Sequence, residues 1–102
     1  MRHPIYRIVE CEYVQPFSLR LKFEDGLERL INFHQILKGE IYGPLQDPEL
    51  FSQVMIDPEV HTITWPNGAD FDPAVLHDWP LHEKSFVQAA EGWEKTAALA
   101  VA

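Results

Sequence analysis

One cysteine, Cys11, stands in the whole 102-residue sequence, so no internal disulfide can staple the chain, and no second cysteine or histidine pair sits at zinc-finger spacing. That excludes a disulfide-rich secreted scaffold and a structural zinc module, and it predicts a cytoplasmic protein. Cys11 itself reads as a small strand or core residue, because no adjacent base or helix start would lower its pKa. Long apolar runs are also missing. Basic residues open the chain in Met1-Arg2-His3-Pro4-Ile5-Tyr6-Arg7, but Glu10 and Glu12 interrupt before a signal-peptide core could form. Nothing approaches the roughly 18 apolar residues of a membrane span. Positive charge is scarce: 8 Lys or Arg face 16 Asp or Glu, for a formal net charge of −8. A broad surface for nucleic acid or anionic membrane is therefore not expected, since both partners are polyanions.

Aromatics, by contrast, are plentiful. Six Phe, three Tyr and three Trp offer enough apolar surface to offset the roughly 1–2 kcal/mol per residue of backbone ordering, which argues against disorder. A chain of this length forms one domain and buries roughly 65% of the surface its unfolded form exposes.

Residues 5–14 are rich in β-branched and aromatic types and read as a strand closed by Gln15-Pro16. Residues 17–24 alternate strictly, with Phe17, Leu19, Leu21 and Phe23 on one face and Ser18, Arg20, Lys22 and Glu24 on the other. Glu24-Asp25-Gly26 then leads into Leu27-Glu28-Arg29-Leu30-Ile31-Asn32-Phe33, a hairpin signature. A two-residue Asp25-Gly26 loop would set polar side chains on the face of Phe23 and Leu19. A three-residue loop with Gly26 left-handed instead pairs Phe23 with Leu27, Leu19 with Ile31, Phe17 with Phe33 and Lys22 with Glu28, leaving only Arg29 out of place. The second register is the expected one.

Phe33 to Lys38 should make one or two helical turns ended by Gly39. Residues 39–48 should be loop with Ile41, Tyr42 and Leu45 inward. Asp47-Pro48-Glu49 opens a short helix burying Leu50, Phe51 and Val54. Residues 60–65 alternate as a further strand, with Val60, Thr62 and Thr64 on one side and His61, Ile63 and Trp65 on the other. Pro66-Asn67-Gly68 turns the chain. Asp72-Pro73 opens another helix. From Pro80 onward Phe86, Ala89, Ala90, Trp93 and Ala97 recur at helical spacing, with Gly92 a weak point and fraying expected over Ala97 to Ala102. No internal repeat or low-complexity segment is present. These elements imply an α+β fold: a small, mostly antiparallel sheet around the 17–33 hairpin, with short helices and a C-terminal helix on one side.

Three segments, Leu21-Lys22-Phe23-Glu24-Asp25-Gly26, Tyr42 through Phe51, and Thr64-Trp65-Pro66-Asn67-Gly68-Ala69-Asp70-Phe71, together resemble the bacterial family called domain of unknown function 2442. The resemblance runs over about residues 5–78, and Trp-Pro-Asn-Gly-Ala-Asp is its most specific piece. It implies a small α+β domain, taken over 1–80, and the helical pattern beyond it makes 81–102 a C-terminal helical extension. It also implies no established activity and no transferable catalytic residue. Members are often encoded beside another small protein in what is suspected to be a toxin–antitoxin arrangement. Some carry a helix-turn-helix domain behind this one; residues 81–102 have room only for one long helix, so direct DNA binding is not expected here.

Four features are candidates for function. In the Trp65–Asp70 block every residue has a turn-forming reason to be present, with Asp70 expected to cap backbone donors, so the structural reading leads; the alternative is a recognition surface of Trp65, Asn67 and Asp70 together with Asp72 and Asp78. Asp70, Asp72, His77, Asp78 and His82 could hold a divalent cation or do acid–base work if they converged. Their spacing does not require it: His77 and His82 are five apart with Pro80 between, where one helical face wants three or four, and Asp72 and Asp78 have ordinary capping roles. His3, His34 and His61 are isolated, and no metal or cofactor is expected. The helix from 81 could dock on the sheet or, through an exposed Trp93, on a twin.

Charge position is the fourth feature. Residues 1–38 hold six basic and five acidic side chains, net +1, and residues 39–102 two and eleven, net −9, with no Lys or Arg between Gly39 and Glu83. That pattern serves solubility or steers a basic protein partner to a surface of Glu40, Asp47, Glu49, Asp57, Glu59, Asp70, Asp72 and Asp78. The leading expectation is a non-enzymatic protein-binding module, an antitoxin-like partner of a small basic protein. The alternatives are a sensor or dimerisation domain of a transcription system, and a metal-dependent enzyme using the Asp70–His82 region.

Overall fold

Strand β1 (Ile8–Gln15) and strand β2 (Ser18–Phe23) are joined by Pro16-Phe17, and β2 continues through Glu24-Asp25-Gly26 into strand β3 (Glu28–Asn32), giving an antiparallel sheet in the order β1-β2-β3. The computed structural model describes residues 5–101, without the side chains of Gln15 and of residues 94–101. Expectations concerning His3, the Ala97 side chain and Ala102 lie outside the described residues. The three-residue hairpin loop is as read from the sequence: Leu19 opposes Ile31, Lys22 opposes Glu28, and Gly26 sits at φ 92°. The Phe23 N–H donates to the Leu27 carbonyl (2.8 Å) and the Phe33 N–H to the Phe17 carbonyl (2.7 Å). Odd-numbered residues of β3 thus exchange hydrogen bonds with β2, and Glu28, Leu30 and Asn32 turn their backbone groups away from the sheet. The tighter β1–β2 turn holds Phe17 at φ 63°, a left-handed conformation unusual for a bulky residue.

Alternation decides the two sheet faces. Leu19, Leu21, Phe23, Ile31 and Phe33 are fully buried. On the other face Arg20 pairs with Glu12 (3.4 Å), Lys22 with Glu10 (3.9 Å) and, at the sheet end, Arg7 with Glu24 (3.6 Å). Leu30 stands exposed among them.

After a 3-10 turn at His34–Ile36 the chain departs from expectation. Gly39, at φ 82°, opens a helical turn, α1 (Gly39–Tyr42), and a second 3-10 turn follows at Gly43–Gln46, where a loop was expected. Leu45 is buried and Tyr42 half-buried, but Ile41 is exposed. Helix α2 (Pro48–Phe51) is capped by Asp47, whose carboxylate accepts the Glu49 N–H (3.0 Å), and it buries Phe51.

A second small sheet, β4 (Met55–Ile56) with β5 (Ile63–Thr64), replaces the strand expected over 60–65. Asp57 causes the shortening. Its carboxylate accepts the Glu59 N–H (2.7 Å) and the Val60 N–H (3.0 Å), its carbonyl accepts the His61 N–H (2.9 Å), and His61 is driven to φ 55°. This local side-chain turn overrides the alternation at Val60 and His61. Helix α3 (Pro73–His77) begins at Asp72, which caps the Ala74 N–H (2.9 Å), and helix α4 (Trp79–Val101) follows. The 80/81 boundary falls inside the first turn of α4. Ala90 belongs to the same core as the sheet, and Phe86, Val87 and Trp93 pack against it. The fold is α+β, with the helices over one sheet face.

Candidate functional site

The Trp65–Asp70 block is built inward. Trp65 is 2% exposed, and its indole Nε1–H donates to the Phe51 carbonyl (2.8 Å), so it cannot take part in a recognition surface. Gly68, at φ 90°, closes the turn by donating to the Trp65 carbonyl (3.0 Å), and the Trp65 N–H reaches the Ala69 carbonyl (2.9 Å). Asn67 performs the capping expected of Asp70: its Oδ1 accepts the Ala69 N–H (3.1 Å), while its Nδ2 donates to the Ile41 carbonyl (3.0 Å). Tyr42 adds a second tie, its hydroxyl donating to the Asp70 carbonyl (2.7 Å). The turn is therefore locked to α1. The Asp70 carboxylate accepts no backbone donor among the described residues and stays exposed beside Tyr42, whose pKa is raised by burial and then by that charge.

A family model, described as protein of unknown function (DUF2442), matches residues 8–80. The chain belongs to this family. No curated protein and no solved structure matches it.

Within the DUF2442 segment the five residues Asp70, Asp72, His77, Asp78 and His82 do not converge. Asp72 is occupied at the α3 cap, Asp70 lies on the turn, and His82 is exposed on α4. Only His77 and Asp78 meet, Nδ1 to Oδ1 at 2.9 Å, so Asp78 serves the imidazole rather than a helix cap. Among the described residues no group of three or more His, Cys, Asp and Glu is placed to hold a metal ion.

His77 instead gathers partners distant in sequence. Its Nε2 lies 2.7 Å from Oδ2 of Asp25 at the hairpin tip, its ring stacks on Tyr6 (centroids 3.8 Å apart), and Phe23 meets it edge-on at 4.9 Å. Arg29 Nε donates to the His77 carbonyl (2.8 Å), closing the end of α3. Burial of the ring pulls its pKa down, but the hydrogen bonds and charges of Asp78 and Asp25 more than reverse this, and the net shift is upward. The Asp25 carboxyl is held below the usual range by the Leu27 N–H and then by His77. Protonated, His77 donates to both carboxylates; neutral, one ring nitrogen turns a lone pair toward a carboxylate. The cluster is a proton-holding clasp between hairpin and helices, with both ring nitrogens engaged.

Asp25, Tyr6 and Arg29 escaped the sequence reading. Arg29 was the available signal, a charged side chain on the inner face of a hairpin whose register was otherwise settled. Cys11 is half-buried on β1, and burial pushes its thiol up to about 11, so it stays protonated at neutral pH.

Proposed function

We propose that this DUF2442 protein is a non-enzymatic binding module whose helix-and-loop side docks a basic protein partner. The location of its unneutralised acid carries the reading. Arg7, Arg20 and Lys22 are spent in ion pairs with Glu24, Glu12 and Glu10 on the sheet face, and Arg29 is turned to the His77 carbonyl. From Gly39 to Glu83 there is no Lys or Arg to do the same. Asp47, Asp57 and Asp72 accept backbone N–H groups and Asp78 holds His77, so four of the eight acids counted from the sequence have architectural work. Glu40, Glu49, Glu59 and Asp70 have no ion pair among the described residues. Glu40 adjoins exposed Ile41 on α1, the element that Asn67 and Tyr42 tie to the Asp70 turn. Acid beside apolar surface on a rigid support suits a cationic amphipathic partner.

Affinity capture from the native cell at about 0.05 M and about 0.5 M salt tests this. The same capture is repeated with a Glu40→Lys, Asp70→Lys variant. A partner retained by the wild type at low salt, and lost both at high salt and with the variant, supports the reading. Capture of nothing, or of the same proteins in all arms, overturns it.

A further inference from the structure

Strand β1 has neighbours on both sides, β2 and, through the bond from the Ile8 N–H to the His61 carbonyl (2.8 Å), the segment before β5. Strand β3 has one. Its outward backbone groups, at Glu28, Leu30 and Asn32, meet no hydrogen-bond partner among the described residues. We propose that β3 pairs antiparallel with β3 of a second copy of this chain about a twofold axis through Leu30, joining two three-stranded sheets into one of six.

The edge is complementary to itself in that register. Leu30 faces Leu30 across the axis, and Glu28 faces Asn32 of the second copy on each side. Every outward N–H and C=O finds a partner, for about six backbone hydrogen bonds. Moving the axis to Arg29 leaves about four and sets two arginines opposite one another; moving it to Glu28 opposes two glutamates. Leu30, 57% exposed beside the ion pairs of the outer face, gains an apolar neighbour. Long-range charge agrees: residues 1–38, which contain the whole sheet, are net +1, whereas copies meeting through residues 39–102 would bring together surfaces of net −9 each. One short strand covers much less than the roughly 800 Å² per partner of a standard interface, so the pair is weak and forms at concentrations on the order of 0.1–1 mM.

Sedimentation equilibrium from about 10 μM to about 1 mM should show a reversible monomer–dimer equilibrium. Leu30→Pro removes an N–H that β2 does not use, and is expected to abolish the dimer at the highest concentration while the far-ultraviolet CD is unchanged. In a Cys11→Ala background, Leu30→Cys should oxidise to a cross-linked dimer, because directly opposed hydrogen-bonded residues lie about 5.5 Å apart, within disulfide reach. Glu28→Cys, about 14 Å from its counterpart in this register, should not. A monomer throughout, or a Leu30→Cys protein that does not cross-link, overturns the proposal. So does a folded Leu30→Pro protein that still dimerises, or Glu28→Cys cross-linking as fast as Leu30→Cys. Should Leu30→Pro fail to fold, the two cysteine variants decide.

Discussion

At the scale of single residues His77 joins the hairpin tip to the helices through Asp25 and Asp78, and its protonation sets a pH dependence whose sign can be worked out. Its folded-state pKa is raised, so the stability it contributes is fully present below the unfolded value of about 6.5 and is lost as pH rises through the folded value. Asp25 runs the other way: its folded pKa is lowered, so its contribution is present above the unfolded value of about 4 and is lost as pH falls through the folded one. The clasp is complete between those limits. Thermal unfolding of the wild type should show a melting temperature lower at about pH 8.5 than at about pH 5.5. His77→Gln should melt lower than the wild type at the acidic value and lose most of the difference between the two. A variant that keeps the full difference would place the titrating group elsewhere.

At the scale of elements, the 17–33 hairpin was legible because strict alternation, a glycine and a choice between two loops left one register that put Phe23, Leu19 and Ile31 on the buried face together. The Asp-Pro helix starts were legible for a local reason too, since Asp47 and Asp72 each cap within two residues of themselves. What escaped was either very short or distant. Strand β4 has two residues, below any periodicity, and Asp25 meets His77 across 52 positions of sequence. Gly39 is a residue whose importance was legible but whose role was not. It opens α1 rather than ending a helix, and its missing side chain makes room for α4. A Cβ there would lie 3.1 Å from Cβ of Trp93 on a backbone at φ 82°, whereas at Gly26, φ 92°, a Cβ meets nothing. Gly26→Ala should therefore cost about 1–2 kcal/mol of conformational strain. Gly39→Ala adds overpacking and should cost about 2–4 kcal/mol. Urea unfolding of the two variants checks the order, and equal losses would mean that α1 and α4 are not in close contact.

For the whole molecule, the family match ends at residue 80 while the hydrophobic core continues to Trp93. A chain cut after Pro80 loses Phe86 and Trp93, whose rings lie 5.6 Å from Phe71 and 5.7 Å from Tyr42 respectively. At about 1.5–3 kcal/mol for burying each large side chain, discounted for partial exposure, that deletion should cost about 2–5 kcal/mol. A small domain holds only about 5–15 kcal/mol in total. Unfolding of the shortened chain in urea should show a correspondingly lower midpoint, and an unchanged midpoint would make α4 an appendage. The aromatic contacts have an optical consequence as well. Phe51 lies 5.5 Å from Trp65, Trp65 5.8 Å from Phe71, Phe71 5.6 Å from Phe86, and Phe86 5.5 Å from Trp93. This unbroken relay runs from α2 through the family's turn block to the last helix. Asymmetric packing of these rings gives the folded chain a near-ultraviolet circular dichroism signal belonging to the core as a whole, so a looser state that keeps its helices while its rings tumble would be visible as the loss of that signal alone.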